Sequence, residues 1–184
     1  MSPKSTVVKA ELQVSDMDRH YYATHALTLA QHPSETERRL MVRLLAFALF
    51  ADERLALGRP LDGEEEPDLW RRDYTGDIEQ WITLGQPDEA DVRRASGRAR
   101  EVIVVTYSGA SAQQWWDKNA AGLSRLKNLT VIDIAEADVD ALEALYGRTM
   151  RFNALIQDRE TQLMGETGSL ALRPNVRMGD ALGH

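Results

Sequence analysis

The sequence predicts an α/β fold, of the mixed-sheet α+β kind, in a single domain over residues 1–184. Three observations carry this. The run TVVKAELQV (6–14) alternates apolar and polar residues with β-branched side chains, which reads as a strand. Leu40, Met41, Leu44, Leu45, Phe47 and Ala48 recur at spacings of three and four, which reads as an amphipathic helix. Strand and helix patterns then interleave to about residue 172, and 184 residues at 43% hydrophobic and 28% charged have the balance of one globular domain.

Each element has its own signal. Residues 6–14 and 21–29 form two strands, read together as a hairpin. Ser34 followed by Glu37 has the form of a capping box, so a helix is expected from 34 to about 52 or 53. Leu55 to Leu57 is a short strand ended by Gly58 and Pro60, and the acidic loop DGEEEP follows. Strands at 68–72 and 77–84 flank Tyr74-Thr75-Gly76 as a second hairpin. Pro87 with acids at 88, 89 and 91 opens a helix to about 99, since proline and carboxylates suit a helix N-terminus. EVIVVTY (101–107) is a buried strand. A helix at 110–124, a strand at 129–134 and a helix at 138–146 continue the pattern. Strands at 150–157, 161–164 and 170–172 end it, with a loose tail after Pro174.

Composition narrows the chemistry. There is no cysteine, which excludes disulfide scaffolds, thiolate zinc sites, iron–sulfur clusters and thiol nucleophiles. The longest apolar run is eight residues, Leu44 to Ala51, against the roughly 20 a membrane helix needs. MSPKSTVVKAELQ lacks the apolar stretch of a secretory leader, so a cytoplasmic protein with no membrane partner is expected. The formal net charge of −7 argues against coating nucleic acid by bulk electrostatics. Charge is nevertheless unevenly spread: residues 59–91 hold eleven acids and three arginines, whereas 92–128 hold seven basic residues and two acids. That reads either as a cation site beside an anion-binding face or as two solvated surfaces.

The expected chemistry follows from the order of elements. A helix from 34, strands at 55–57, 68–72 and 77–84, a helix at 88–99 and a strand at 101–107 read α-β-β-β-α-β. Glu35 falls at the start of that helix, Pro67-Asp68 at the start of the second strand, and Glu79-Gln80-Trp81 on the third. Neighbouring strands lie under about 5 Å apart, so two carboxylates on one face of a hairpin can share one ion, and oxygen ligands favour Mg²⁺ or Mn²⁺. This arrangement resembles the restriction-endonuclease-like core of the PD-(D/E)XK nucleases, with extra N- and C-terminal strands. The resemblance implies phosphodiester hydrolysis with Glu35, Asp68, Glu79 and Gln80 as the catalytic set. Asp68, Glu79 and the Gln80 carbonyl would hold the metal, which activates water and polarises the phosphoryl group. The lysine of that motif falls on Trp81, and an arginine such as Arg43 or Arg93 can contact an anion but cannot act as general base. A register in which Thr83 takes the acid's place, with Gly85 at the lysine position, leaves the site empty. Structural readings stand beside the functional one: Glu79 as cross-strand partner of Arg71 or Arg72, Glu35 as i,i+4 partner of Arg39, and Arg43 as partner of a buried Glu35 or Asp68.

Over nearly the whole chain, HPSET (32–36), RLLAFALFADERL (43–55), EPDLW (66–70), WITLGQPD (81–88), QQWW (113–116) and IQD (156–158) resemble the YaeQ family of bacterial proteins. That resemblance implies an α/β fold with a variant nuclease-like core at about 34–134 and C-terminal strands at 150–173. It also implies a link to transcription elongation. Two functions are therefore expected to compete: a metal-dependent nuclease, and a non-catalytic module that binds nucleic acid or a protein of the transcription machinery. Among other residues, His20 and His25 are expected on opposite faces of a strand and His32 at the approach to the helix. Of Trp115 and Trp116, one faces the core and the other is an interface or stacking candidate. The turn TYSGAS (106–111) is a weak anion-site candidate.

Overall fold

A computed structural model describes residues 4–60 and 65–183; residues 62–64 of the acidic loop therefore lie outside the described residues. The fold is mixed α+β, with two sheets and, among the described residues, four helices. The chain is organised as two compact units, residues 1–51 with 137–173, and residues 52–136 with 174–184.

The first unit is built on a five-stranded sheet. Strands β1 (Thr6–Asp16) and β2 (Tyr21–Gln31) pair antiparallel from Thr6↔Gln31 to Asp16↔Tyr21 without a slip. Val8, Ala10, Leu12 and Val14 are buried while their neighbours are exposed, so the alternation in the sequence is the alternation of a one-sided sheet. Both strands run longer than their expected 6–14 and 21–29. Strand β8 (Thr149–Gln157) lies parallel to β1, and β9 (Glu160–Gly165) and β10 (Ser169–Leu172) complete the order β10-β9-β8-β1-β2.

Helix α1 (Glu37–Leu49) starts later than expected. Its N-cap is Thr36, whose hydroxyl accepts the Arg39 N–H at 3.1 Å, and Ser34 instead bonds to His32 Nδ1 at 2.7 Å. The Ser34/Glu37 capping box is thus corrected by two residues. Ten consecutive residues, Leu40 to Leu49, are buried, so the helix is enclosed on all its faces and not only along one stripe. Helix α4 (Glu136–Glu143) carries Asp140 and Glu143, which both accept bonds from Arg38. His20 lies in the β1–β2 turn with φ 55°, not on a strand, while His25 on β2 bonds the Tyr21 hydroxyl and meets the Phe47 ring edge-on.

The second unit carries a six-stranded sheet of order β11-β7-β6-β5-β4-β3. Strands β3 (Leu55–Leu57), β4 (Leu69–Arg72) and β5 (Ile78–Leu84) form an antiparallel meander. Helix α2 (Glu89–Arg98) leads from β5 to the parallel strand β6 (Ala99–Thr106), and α3 (Ala110–Leu123) leads to the parallel strand β7 (Leu129–Asp133). Val92, Ala95, Val102, Val104, Trp115, Leu129 and Val131 form a core between these helices and one sheet face. Ile82, Ile103 and Ile132 on the other face are buried too, which explains the unbroken apolar run of β6.

The tail is a correction. Asn175–Met178 forms β11, antiparallel to β7, and Ala181 N–H bonds Thr130 Oγ1 at 3.1 Å. Pro174 marks the approach to this edge strand, not the end of ordered structure. Among the described residues no helix is long and apolar enough to cross a membrane.

Candidate functional site

The α-β-β-β-α-β order expected from the sequence is the order of α1, β3, β4, β5, α2 and β6. The candidate residues on those elements are placed differently from the expectation. Glu35 precedes the helix, outside its first turn, and its carboxylate is buried within the first unit. One oxygen accepts Arg39 Nη1 and the other Arg43 Nη2, both at 2.8 Å. Arg43 also donates to the Ala30 carbonyl at 3.2 Å. The arginine that interrupts the apolar helix is therefore the counter-ion of a buried acid, and both structural readings of Glu35 hold.

In the second unit, Leu69 faces Ile82 across the β4–β5 hairpin, which sets Asp68 level with Thr83. Glu79 lies four residues away along β5, about 13 Å at the rise of a strand. Asp68 and Glu79 therefore do not stand directly opposite each other, and Thr83 takes the position opposite Asp68. Asp68 is buried, and its Oδ2 accepts the Leu84 N–H at 2.8 Å. Its backbone is clamped as well: Gly58 N–H bonds the Asp68 carbonyl at 2.9 Å, and a Cβ on Gly58 would overlap the Pro67 carbonyl oxygen.

Glu79 sits where the register slips between Arg71 and Arg72. Its oxygens accept Arg54 Nη1 at 2.9 Å and Arg71 Nε at 2.7 Å, with Arg100 Nη1 at 4.0 Å. The Arg54 bond first, and then Arg71, hold its carboxyl below the usual carboxylate range. Of the cross-strand partners expected for Glu79, Arg71 is present, whereas Arg72 lies over the Trp70 ring. Arg54 and Arg100 escaped sequence reasoning because a strand pattern says nothing about which distant chain segment reaches a carboxylate. Gln80 stands opposite Arg71 across the hairpin and is buried. Its Nε2 donates to Glu101 on β6 at 2.7 Å, and its buried Oε1 has no hydrogen-bond partner among the described residues.

This donor set does not fit a shared divalent cation. Glu35 and Glu79 have both oxygens committed to guanidinium groups, Asp68 has one oxygen on a backbone donor, and Asp68 and Glu79 stand too far apart along the hairpin. No basic side chain occupies either lysine position, Trp81 or Gly85.

The face of β5 that bears Trp81 and Thr83 is a groove instead. Trp81 and Val102 pair across β5 and β6, as do Thr83 and Val104. Together with Val92 and Ala95 of α2 they line a cavity of about 260 Å³ rimmed by Asp91, Arg94 and Arg98. The indole is held by its Nε1 bond to Thr83 Oγ1 at 3.1 Å and by the Arg98 guanidinium 5.2 Å from the ring centre.

The other candidates have internal partners. Arg93 pairs with Glu89 at 2.6 Å, Arg94 with Asp91 at 3.2 Å, and Arg100 with Asp73 at 2.9 Å. Trp115 is buried and donates to the Pro87 carbonyl at 2.9 Å, while Trp116 is partly buried against the same core. In the TYSGAS turn, Gly109 caps α3 with φ 57° and the Glu136 carboxylate lies against it, so an acid of the chain already stands at that helix terminus.

Comparison with known proteins places the chain in a family. A family model described as YaeQ protein matches residues 1–174. The YaeQ protein of Escherichia coli (strain K12) is 40% identical over 171 residues, 92% of this chain and 94% of that one. The YaeQ protein of Salmonella typhi is 39% identical over 174 residues, 94% and 96% of the two chains. The crystal structure of YaeQ from Xanthomonas axonopodis pv. citri superposes with a TM-score of 0.92 at 58% identity, covering 95% of this chain and 99% of that one. YaeQ from Pseudomonas syringae gives 0.91 at 30% identity, with 96% and 97% covered. None of these names carries an activity. With its matched length, its two-sheet fold and these relatives in agreement, the chain belongs to the YaeQ family.

Proposed function

We propose that this chain is a non-catalytic protein-binding module that keeps a restriction-endonuclease-like order of elements without cation chemistry. The observation that carries the reading is the state of the acids: Glu35 and Glu79 are each neutralised by two arginines, and Asp68 is held by the Leu84 amide. A metal would have to displace charge-assisted hydrogen bonds to bind there. The Trp81 groove supports a protein partner, because a half-apolar cavity with a charged rim suits an apolar side chain flanked by polar ones. A nucleic-acid partner is less favoured, since Arg93, Arg94 and Arg100 already pair with carboxylates and the net charge is −7. The transcription machinery is the source of partner that the family resemblance implies.

Titration calorimetry with Mn²⁺ and Mg²⁺, run on the wild type and on Asp68→Ala and Glu79→Gln, tests the proposal. The expected result is no saturable metal heat in any of them and no cleavage of single- or double-stranded DNA or RNA oligonucleotides. Saturable Mn²⁺ binding that is lost in folded Asp68→Ala would overturn the proposal and restore the metal-dependent phosphodiesterase. Metal-independent oligonucleotide binding that weakens steeply with salt would overturn the choice of a protein partner.

A further inference from the structure

Strand β2 closes one edge of the five-stranded sheet, and over residues 22–28 it has none of the features that protect an edge, while the Ala30 carbonyl beyond them is met by Arg43 of α1. It is eleven residues long, pairs with β1 without a bulge, and contains no proline, lysine, arginine, aspartate or glutamate. The other sheet edges, β10, β3 and β11, are four, three and four residues long. Short edges offer little to pair with, so β2 stands apart.

The direction of its open backbone groups follows from the neighbouring strand. Lys9 N–H donates to the Arg148 carbonyl, away from β2, and Lys9 stands opposite Thr28. In an antiparallel ladder such a pair exchanges no bonds, so Thr28 turns its N–H and C=O to the outside. By the same alternation Tyr22, Thr24 and Ala26 do so as well. The Ala30 carbonyl agrees with this phase, since it is met by the Arg43 side chain and not by β1. These even-numbered residues also carry their side chains on the exposed sheet face.

We propose that β2 is a self-association edge, at which two copies of this chain pair their β2 strands antiparallel about Ala26. That two-fold sets Tyr22 opposite Ala30, Thr24 opposite Thr28 and Ala26 opposite itself, so a large side chain meets a small one and hydroxyls meet hydroxyls. No charge opposes a like charge, because the strand has none. The central pairs exchange about six backbone hydrogen bonds, and the two five-stranded sheets become one continuous sheet.

Size-exclusion chromatography with light scattering on the full chain tests this. The wild type is expected at the mass of two chains at high micromolar concentration. Ala26→Lys places two ammonium groups against each other at the two-fold and is expected at the mass of one chain, with an unchanged far-UV circular dichroism spectrum because Ala26 is exposed. Ala26→Glu behaves the same way alone, and mixing the two variants restores the two-chain species. Rescue on mixing belongs to a self-opposed position and not to a loss of folding. A wild type that stays at one chain mass would overturn the proposal and leave the edge to a strand of another protein. A two-chain species unaffected by Ala26→Lys, or variants that fail to associate when mixed, would overturn it as well.

Discussion

Replacing Arg43 with methionine probes the buried charge cluster at the start of α1. Methionine keeps the length and apolar packing of the stem among the buried helix residues and deletes the guanidinium. The Glu35 side chain is 2% exposed and loses the 2.8 Å bond on one of its oxygens, while Arg39, 19% exposed, still holds the other. The Ala30 carbonyl loses its 3.2 Å donor as well. Breaking one side of a buried ion pair costs about 3–5 kcal/mol, and the remaining Arg39 bond places this case near the lower end. With a urea slope of about 2 kcal/mol/M the unfolding midpoint falls by roughly 1.5 M. Urea unfolding followed by far-UV circular dichroism and tryptophan fluorescence measures it. The double variant Arg43→Met with Glu35→Gln is expected to recover much of the loss, because it leaves no uncompensated charge. A midpoint shift below about 0.5 M, or a double variant that loses the sum of the two single losses, would refute the account of Glu35 as an acid held in the interior by Arg43.

Three further outcomes follow from the geometry. Asp73 accepts bonds from the Thr75 hydroxyl and from the Thr75 and Asp77 amides, and these, with Arg100, hold its carboxyl down at about 2. Its folded value lies below the ordinary one near 4, so its contribution is present above about pH 4 and is lost as the pH falls through about 2; Asp73→Asn should be less stable at neutral pH and lose less between pH 4 and 2 in acid titrations of unfolding. Thr36→Ala removes the cap of α1 and should cost about 1 kcal/mol in chemical unfolding, whereas Ser34→Ala, which does not cap, should cost far less. Gly58→Ala drives a methyl into the Pro67 carbonyl and should lower stability by about 1–3 kcal/mol, visible as a lower Tm, with the β3–β4 strand end displaced.

The candidate site shows which kinds of inference travel from sequence to structure. That Glu79 would pair with Arg71, Glu35 with Arg39, and Arg43 with a buried acid were all available as short-range pairings, because hairpin and i,i+4 neighbours lie close in sequence. Arg54, 25 residues from Glu79, was invisible, as was Glu101 for Gln80 at 21 residues. The relative placement of Asp68 and Glu79 was decided by the register. A turn between residues 72 and 78 and a slip between Arg71 and Arg72 decide which β5 residue stands opposite Asp68, and that residue is Thr83.

The amino-acid sequence alone determined where strands and helices lie up to residue 172, to within a few residues at their ends, because residue periodicity reflects one buried face per element and is a local property. It also determined the element order, the fully buried β6 and the absence of thiol chemistry. Tertiary structure alone decided the strand order of the two sheets, the capture of 175–178 as β11, and the enclosure of α1 on all faces. It decided as well that Arg54 reaches Glu79 and that a backbone amide holds Asp68. Charge pairing and strand register depend on which distant segments arrive at the same place, and a carboxylate reads identically in sequence whether a guanidinium or a metal ion will stand beside it.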